Sequence, residues 1–70
     1  MKNNLFKKWR LQKAPDGYYV VVGEIYNDEK KRFKDGNYMR TSRIKSIDFE
    51  TGIAITKNSV YNLEKWWENE

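Results

Sequence analysis

Apolar and polar residues alternate along short runs of the chain, and turn residues separate the runs. From Leu5 to Lys13, Trp9 and Leu11 interleave with Lys8, Arg10 and Gln12, so the run reads as a strand with one apolar and one wet face. Ala14-Pro15-Asp16-Gly17 turns the chain, with Pro15 at the second turn position. The second strand, Tyr18 to Tyr26, opens on the continuous apolar run YYVVV, the pattern of a strand covered on both faces. Gly23 interrupts it and predicts a bulge or sharp bend.

Asn27 to Asn37 is polar and reads as a long loop. The third strand, Tyr38 to Ile47, has no purely apolar face: Tyr38, Arg40, Ser42 and Ile44 alternate with Met39, Thr41, Arg43, Lys45 and Ile47. Such a strand lies at an edge, or bends so that its inward face switches midway. Asp48-Phe49-Glu50-Thr51-Gly52 is a hairpin loop, and Lys57-Asn58-Ser59 joins the last two strands, Ile53 to Thr56 and Val60 to Leu63. The tail, Glu64 to Glu70, changes character and fits a single helical turn, which needs Trp66 or Trp67 to pack on something.

These elements predict an all-β (mainly β) protein: a small five-stranded SH3-like or OB-like barrel, or a strongly bent antiparallel sheet, with a short C-terminal helical turn. Residues 1–63 form one small β domain and residues 64–70 an acidic tail containing two Trp. A domain of this size buries only about 60% of its unfolded surface, so it often needs a staple. With no Cys and no His, disulfides, thiolate chemistry and the usual zinc ligands are all excluded. Three Trp, five Tyr and three Phe must supply the packing, or the chain must associate with a copy of itself or a partner. No apolar run approaches the ~20 residues of a membrane span, and MKNNLFKKWR lacks the apolar core of a secretory signal. The chain therefore reads as cytoplasmic.

The net charge of +4 is uneven. Residues 1–45 hold twelve Lys/Arg against five Asp/Glu, a net +7, while residues 46–70 hold two against five, a net −3. A basic body with an acidic tail fits an anionic partner, pairing between tail and body, or a soluble surface that simply carries many charges.

The residues that carry chemistry are few. Without His or Cys, acid–base work would fall to Asp35, Asp48, Glu24 or a Tyr, and no spacing pairs two carboxylates on one face, so the chain is not expected to be an enzyme. Asn27-Asp28-Glu29 and Asp48/Glu50 lack the ligand count of a calcium loop, and nothing matches a phosphate-binding glycine motif. No metal and no cofactor are expected. The basic stretch is the main candidate site: Lys30, Lys31, Arg32 and Lys34 crowd the long loop, Arg40, Arg43 and Lys45 follow, and Tyr26, Phe33 and Tyr38 are interleaved with them. Cations neutralise phosphates and aromatics offer stacking faces. The competing expectation makes Phe33 a lid on the core, Arg32 a partner of Asp35 or Asp28 that shapes the loop, and Thr41 and Ser42 acceptors and donors for loop backbone. Trp66-Trp67 is the candidate protein interface, because Trp is enriched at hot spots, although one could equally cap the barrel.

Four groups of residues, Gly23-Glu24-Ile25-Tyr26, Arg32-Phe33-x-Asp35-Gly36, Thr41-Ser42-x-Ile44-x-x-Ile47-Asp48 and Thr56-Lys57-Asn58-Ser59-x-Tyr61-x-Leu63, together resemble a group of very short uncharacterised proteins of bacterial genomes, phages and prophages. The resemblance covers roughly residues 20–63. It implies a mobile-element setting in the cytoplasm of a bacterial host cell, in which small proteins bind and inhibit host factors.

The expectation is therefore a small non-enzymatic binding module. It would occupy a site on a host protein, as a host-defence inhibitor does, or sequester an anionic ligand such as a nucleotide. The alternatives are a nucleic-acid-binding barrel using the basic strip at 30–45, and a structural or homo-oligomeric assembly protein.

Overall fold

The computed structural model describes residues 3–64. Six strands form: β1 (Leu5–Lys13), β2 (Tyr19–Tyr26), β3 (Asn37–Arg40), β4 (Ser46–Asp48), β5 (Ile53–Ile55) and β6 (Val60–Leu63). No helix forms among the described residues, so none is long enough and apolar enough to cross a membrane. The expected C-terminal helical turn and the Trp66-Trp67 pair lie outside the described residues, apart from Glu64.

The strands make one sheet in the order β3-β2-β1-β6-β5-β4. Four neighbouring pairs are antiparallel, and β1 with β6 is parallel, so the sheet is mixed rather than purely antiparallel. The protein is all-β as expected. It differs in two further respects: the described residues form six strands rather than five, and no ladder joins β3 to β4, so the sheet does not close as a barrel.

Both differences have one cause. The run from Tyr38 to Ile47 is bent in the middle. Its first half pairs with β2 and its second with β5. Between them, the Thr41 N–H still donates to the Val21 carbonyl at 2.9 Å, but its hydroxyl takes the acceptor's place: it accepts the Val21 N–H at 3.0 Å and donates to the Ser42 carbonyl at 2.8 Å. The Ile44 N–H then donates to the Tyr19 carbonyl at 2.8 Å, and the next N–H, of Lys45, to the Ile55 carbonyl at 2.7 Å. Two single hydrogen bonds thus span the gap that a continuous ladder would fill.

Gly23 marks a bulge, but the extra residue is in the facing strand. Lys7 pairs with Glu24 and Arg10 with Val22, so Lys8 and Trp9 together oppose Gly23. Lys8 takes a positive φ of 51° there. The bulge turns Trp9 inward, three positions after Phe6, and both join the core with Val21, Ile25, Met39, Ala54, Tyr61 and Leu63. Phe6 is fully buried, its ring 5.4 Å from that of Tyr61. Phe33, Ile44 and Ile47 pack against this cluster from the loops and from β4.

The Asn27–Asn37 loop is ordered by two acidic residues and one amide. Asp28, buried, accepts from the backbone N–H groups of Arg32 at 2.8 Å, Phe33 at 3.1 Å and Lys30 at 3.3 Å. Asp35 accepts the Asn27 N–H at 2.8 Å. Asn4, buried with φ 51°, ties the loop to β6: its side chain accepts the Glu29 N–H at 2.8 Å and donates to the Val60 carbonyl at 3.0 Å.

Candidate functional site

The fold disperses the basic stretch at 30–45. Lys30, Lys31 and Lys34 are exposed on the long loop. Arg32 is committed to structure: its guanidinium lies 3.4 Å from the Asp28 carboxylate and 5.6 Å from the Phe33 ring centre. Hydrogen bonding to Tyr61 and then to Asp28 holds its pKa above the ordinary value. Burial of the Asp28 carboxyl opposes ionisation. Hydrogen bonds from the Arg32 side chain and from the Arg32 and Lys30 backbone outweigh it and bring the pKa below its ordinary value. Phe33 packs against the core as a lid. The loop thus closes over the molecule through Arg32 and Phe33 and presents its lysines to solvent.

Arg43 and Lys45 sit elsewhere, in the link between β3 and β4. With Tyr18, Ser42, Ile44, Lys57 and Asn58 they line a concavity of about 640 Å³. The Arg43 guanidinium lies 4.5 Å from the Tyr18 ring centre and 2.9 Å from the Asp16 carboxylate. Asp16 also accepts the Tyr18 N–H at 3.1 Å, so one carboxylate positions both the ring and the cation. Tyr18 remains half exposed. The rim therefore offers three cations, an aromatic face, a hydroxyl and an amide, and no carboxylate lines it. Lys57 and Asn58 belong to the β5–β6 hairpin. Its shape is fixed by Thr56 and Ser59: each N–H is accepted by the other residue, the Thr56 N–H by the Ser59 carbonyl at 2.9 Å and the Ser59 N–H by the Thr56 hydroxyl at 3.2 Å.

Tyr38 and Arg40 lie on a third surface, the face of β3 that points away from the core. Directly paired residues share a face, and Met39, between them, is buried in the core. Two further surfaces are apolar. Leu11, Tyr19, Ile44, Ile47 and Phe49 line a shallow groove of about 300 Å³ with Lys45 and Ser46. Ile53, Ile55 and Val60 are exposed on the outer face of β5–β6, with Ile55 and Val60 directly paired.

Of the residues that line the concavity only Arg43 and Lys45 are among the candidates the sequence offers; Tyr18, Ser42, Ile44, Lys57 and Asn58 are not, and Lys57 is the cation among these. It stands twelve positions beyond Lys45 in the chain, and only the pairing of β5 with the bent link brings the two together. No cluster of three or more His, Cys, Asp or Glu able to hold a metal occurs among the described residues.

Comparison with family models, curated proteins and solved structures gives no match.

Proposed function

We propose that this chain is a small non-enzymatic binding module that captures a nucleotide-sized anionic ligand in the concavity between Tyr18, Arg43, Lys45 and Lys57. One observation carries this reading: Lys45, Lys57, the Asp16-paired Arg43 and a half-exposed aromatic ring line a space of about 640 Å³. That volume is within the usual range of small-molecule sites. The cations suit phosphate oxygens, Tyr18 a planar base, and Ser42 and Asn58 polar edges. With no carboxylate or imidazole in the lining there is no evident general base, so the site suits holding a ligand rather than transforming it. The resemblance to short phage and prophage proteins suggests whom such capture would serve, a mobile element withdrawing a small molecule from its host.

Calorimetric titration with nucleoside mono-, di- and triphosphates, and with inorganic phosphate, tests this. Saturable binding is expected with at least one nucleotide, weakened about tenfold by Lys57→Ala and again by Lys45→Ala. Absence of binding to every ligand, or binding indifferent to both substitutions, overturns it.

A second reading, docking onto a host protein or a second copy, is favoured by the exposed Ile53, Ile55 and Val60 on the outer face of β5–β6. Light scattering across a concentration series, with Ile55→Asp as the control, separates self-association from a monomer.

A further inference from the structure

The outer face of β1–β2–β3 gathers cations that are far apart in the sequence. Arg10 pairs in register with Val22 and Val22 with Arg40; Lys7 pairs with Glu24 and Glu24 with Tyr38. Interstrand spacing puts the Arg10 and Arg40 backbones about 10 Å apart, and the Lys7 row about 7 Å further along the strands. Lys8, in the bulge, reaches the same side, its ammonium 4.0 Å from the Glu24 carboxylate. Within these three strands Glu24 is the one acidic residue. Neither Arg10 nor Arg40 has an ion-pair partner among the described residues, in contrast to Arg32 and Arg43.

Val22 lies between the two arginines, on the side away from the core cluster, yet is only 3% exposed. Arg10 and Arg40 are its direct cross-strand neighbours, so their aliphatic stems are placed to cover it, and both residues are exposed with no ion-pair partner among the described residues. Tyr38, at 64%, is the most exposed of the large apolar side chains described, and it adjoins Arg40 on this face.

Unpaired guanidiniums on a broad, open face call for an extended polyanion rather than a small ligand, which needs a concavity. An aromatic ring at the edge of the cationic rows distinguishes between polyanions, because unstacked bases offer π-faces and acidic side chains do not. We propose that this face binds single-stranded nucleic acid, with Arg10, Arg40 and Lys7 on phosphates and Tyr38 stacked on a base. The surface is separate from the concavity lined by Lys45 and Lys57, and the proposal stands whether or not that site takes a nucleotide.

Fluorescence anisotropy of a labelled oligothymidylate, measured across a potassium chloride series, tests it. Arg10→Gln with Arg40→Gln removes two charges and leaves stems over Val22. It is expected to weaken binding and to make the slope of log K against log salt shallower by about 1.4, at ~0.7 per phosphate contact on a single strand. Tyr38→Ala is expected to lose on the order of tenfold in affinity at unchanged slope, with Tyr38→Phe restoring it. Lys45→Ala with Lys57→Ala should leave binding intact. No binding at low salt overturns the proposal, as does binding abolished by the Lys45/Lys57 pair alone. Equal competition by polyglutamate with no effect of Tyr38→Ala overturns it in favour of an acidic polypeptide, and equal binding to duplex with no effect of Tyr38→Ala overturns the single-strand assignment.

Discussion

Gly23 and Trp9 face each other across the β1–β2 bulge so closely that a methyl group on Gly23 would stand 2.7 Å from the Trp9 Cα and 2.9 Å from its Cβ. The contact is with backbone: Gly23 is held in register with Met39 on β3, and the Trp9 side chain is buried in the core with its indole N–H donating to the Glu64 carbonyl at 2.8 Å, so a shift of either residue disturbs other contacts. Gly23→Ala is expected to cost ~2 kcal/mol or more, an overpacking penalty, and to lower Tm by about 10 °C. Urea denaturation monitored by Trp fluorescence measures it.

Gly52 combines a φ of +76° with a backbone approach: an added methyl would stand 2.6 Å from the Leu63 carbonyl oxygen, which belongs to the neighbouring β6. Gly17 has a φ of +91° and nothing within 4 Å of such a methyl. Gly17→Ala should therefore cost only the left-handed strain, ~1 kcal/mol, and Gly52→Ala clearly more. Equal losses in the two variants would show that the Leu63 contact relaxes.

The Asp28 carboxylate holds three backbone N–H groups and the Arg32 guanidinium, and its folded pKa is below the ordinary 3.8. The protein binds fewer protons at this site than the unfolded chain does. Its contribution is therefore full above pH 3.8 and is lost as pH falls below that value toward the folded pKa. Asp28→Asn should be less stable than the parent at neutral pH, and the gap should narrow as acid is added. Parallel denaturation curves at pH 7 and in the acid range check the sign.

Asn4 adopts φ 51° and spends both ends of its amide, on the Glu29 N–H and the Val60 carbonyl. Asn4→Ala should lose ~3 kcal/mol, from two hydrogen bonds and a left-handed backbone that alanine resists. Asn4→Gly should recover about 1 kcal/mol of that loss, because only the strain is relieved. Amide exchange at Glu29 should accelerate in both.

The β1–β2 and β5–β6 hairpins, the inner four strands of the sheet, are readable in the sequence. β1 and β6 fall at the expected bounds, and β2 and β5 differ by one residue each, because alternation and turn glycines are local signals. The bend in the third run was legible only as two mixed faces. Its cause, a threonine hydroxyl standing in for backbone, depends on Val21, twenty positions earlier. In the sequence Gly23 signals a bulge or sharp bend, but not that its missing side chain makes room for an extra residue in the partner strand. The candidate site was the least legible. Charges adjacent in the chain point to different faces or serve the loop, as Arg32 does, while Arg10 joins Arg40 and Lys57 joins Lys45 only through strand pairing.

The parallel pairing of β1 with β6 has a consequence for a chain emerging from a ribosome. Leu5 meets Asn62 and Phe6 meets Leu63, so the innermost phenylalanine finds its last neighbours only when almost the whole described chain has been synthesised. Until then the β1–β2 hairpin exposes Phe6 and Trp9 along an open edge, where another nascent chain could add itself as readily as β6. Slow elongation through residues 30–60 should therefore favour aggregation, and a chaperone that shields that edge should raise the yield of folded protein.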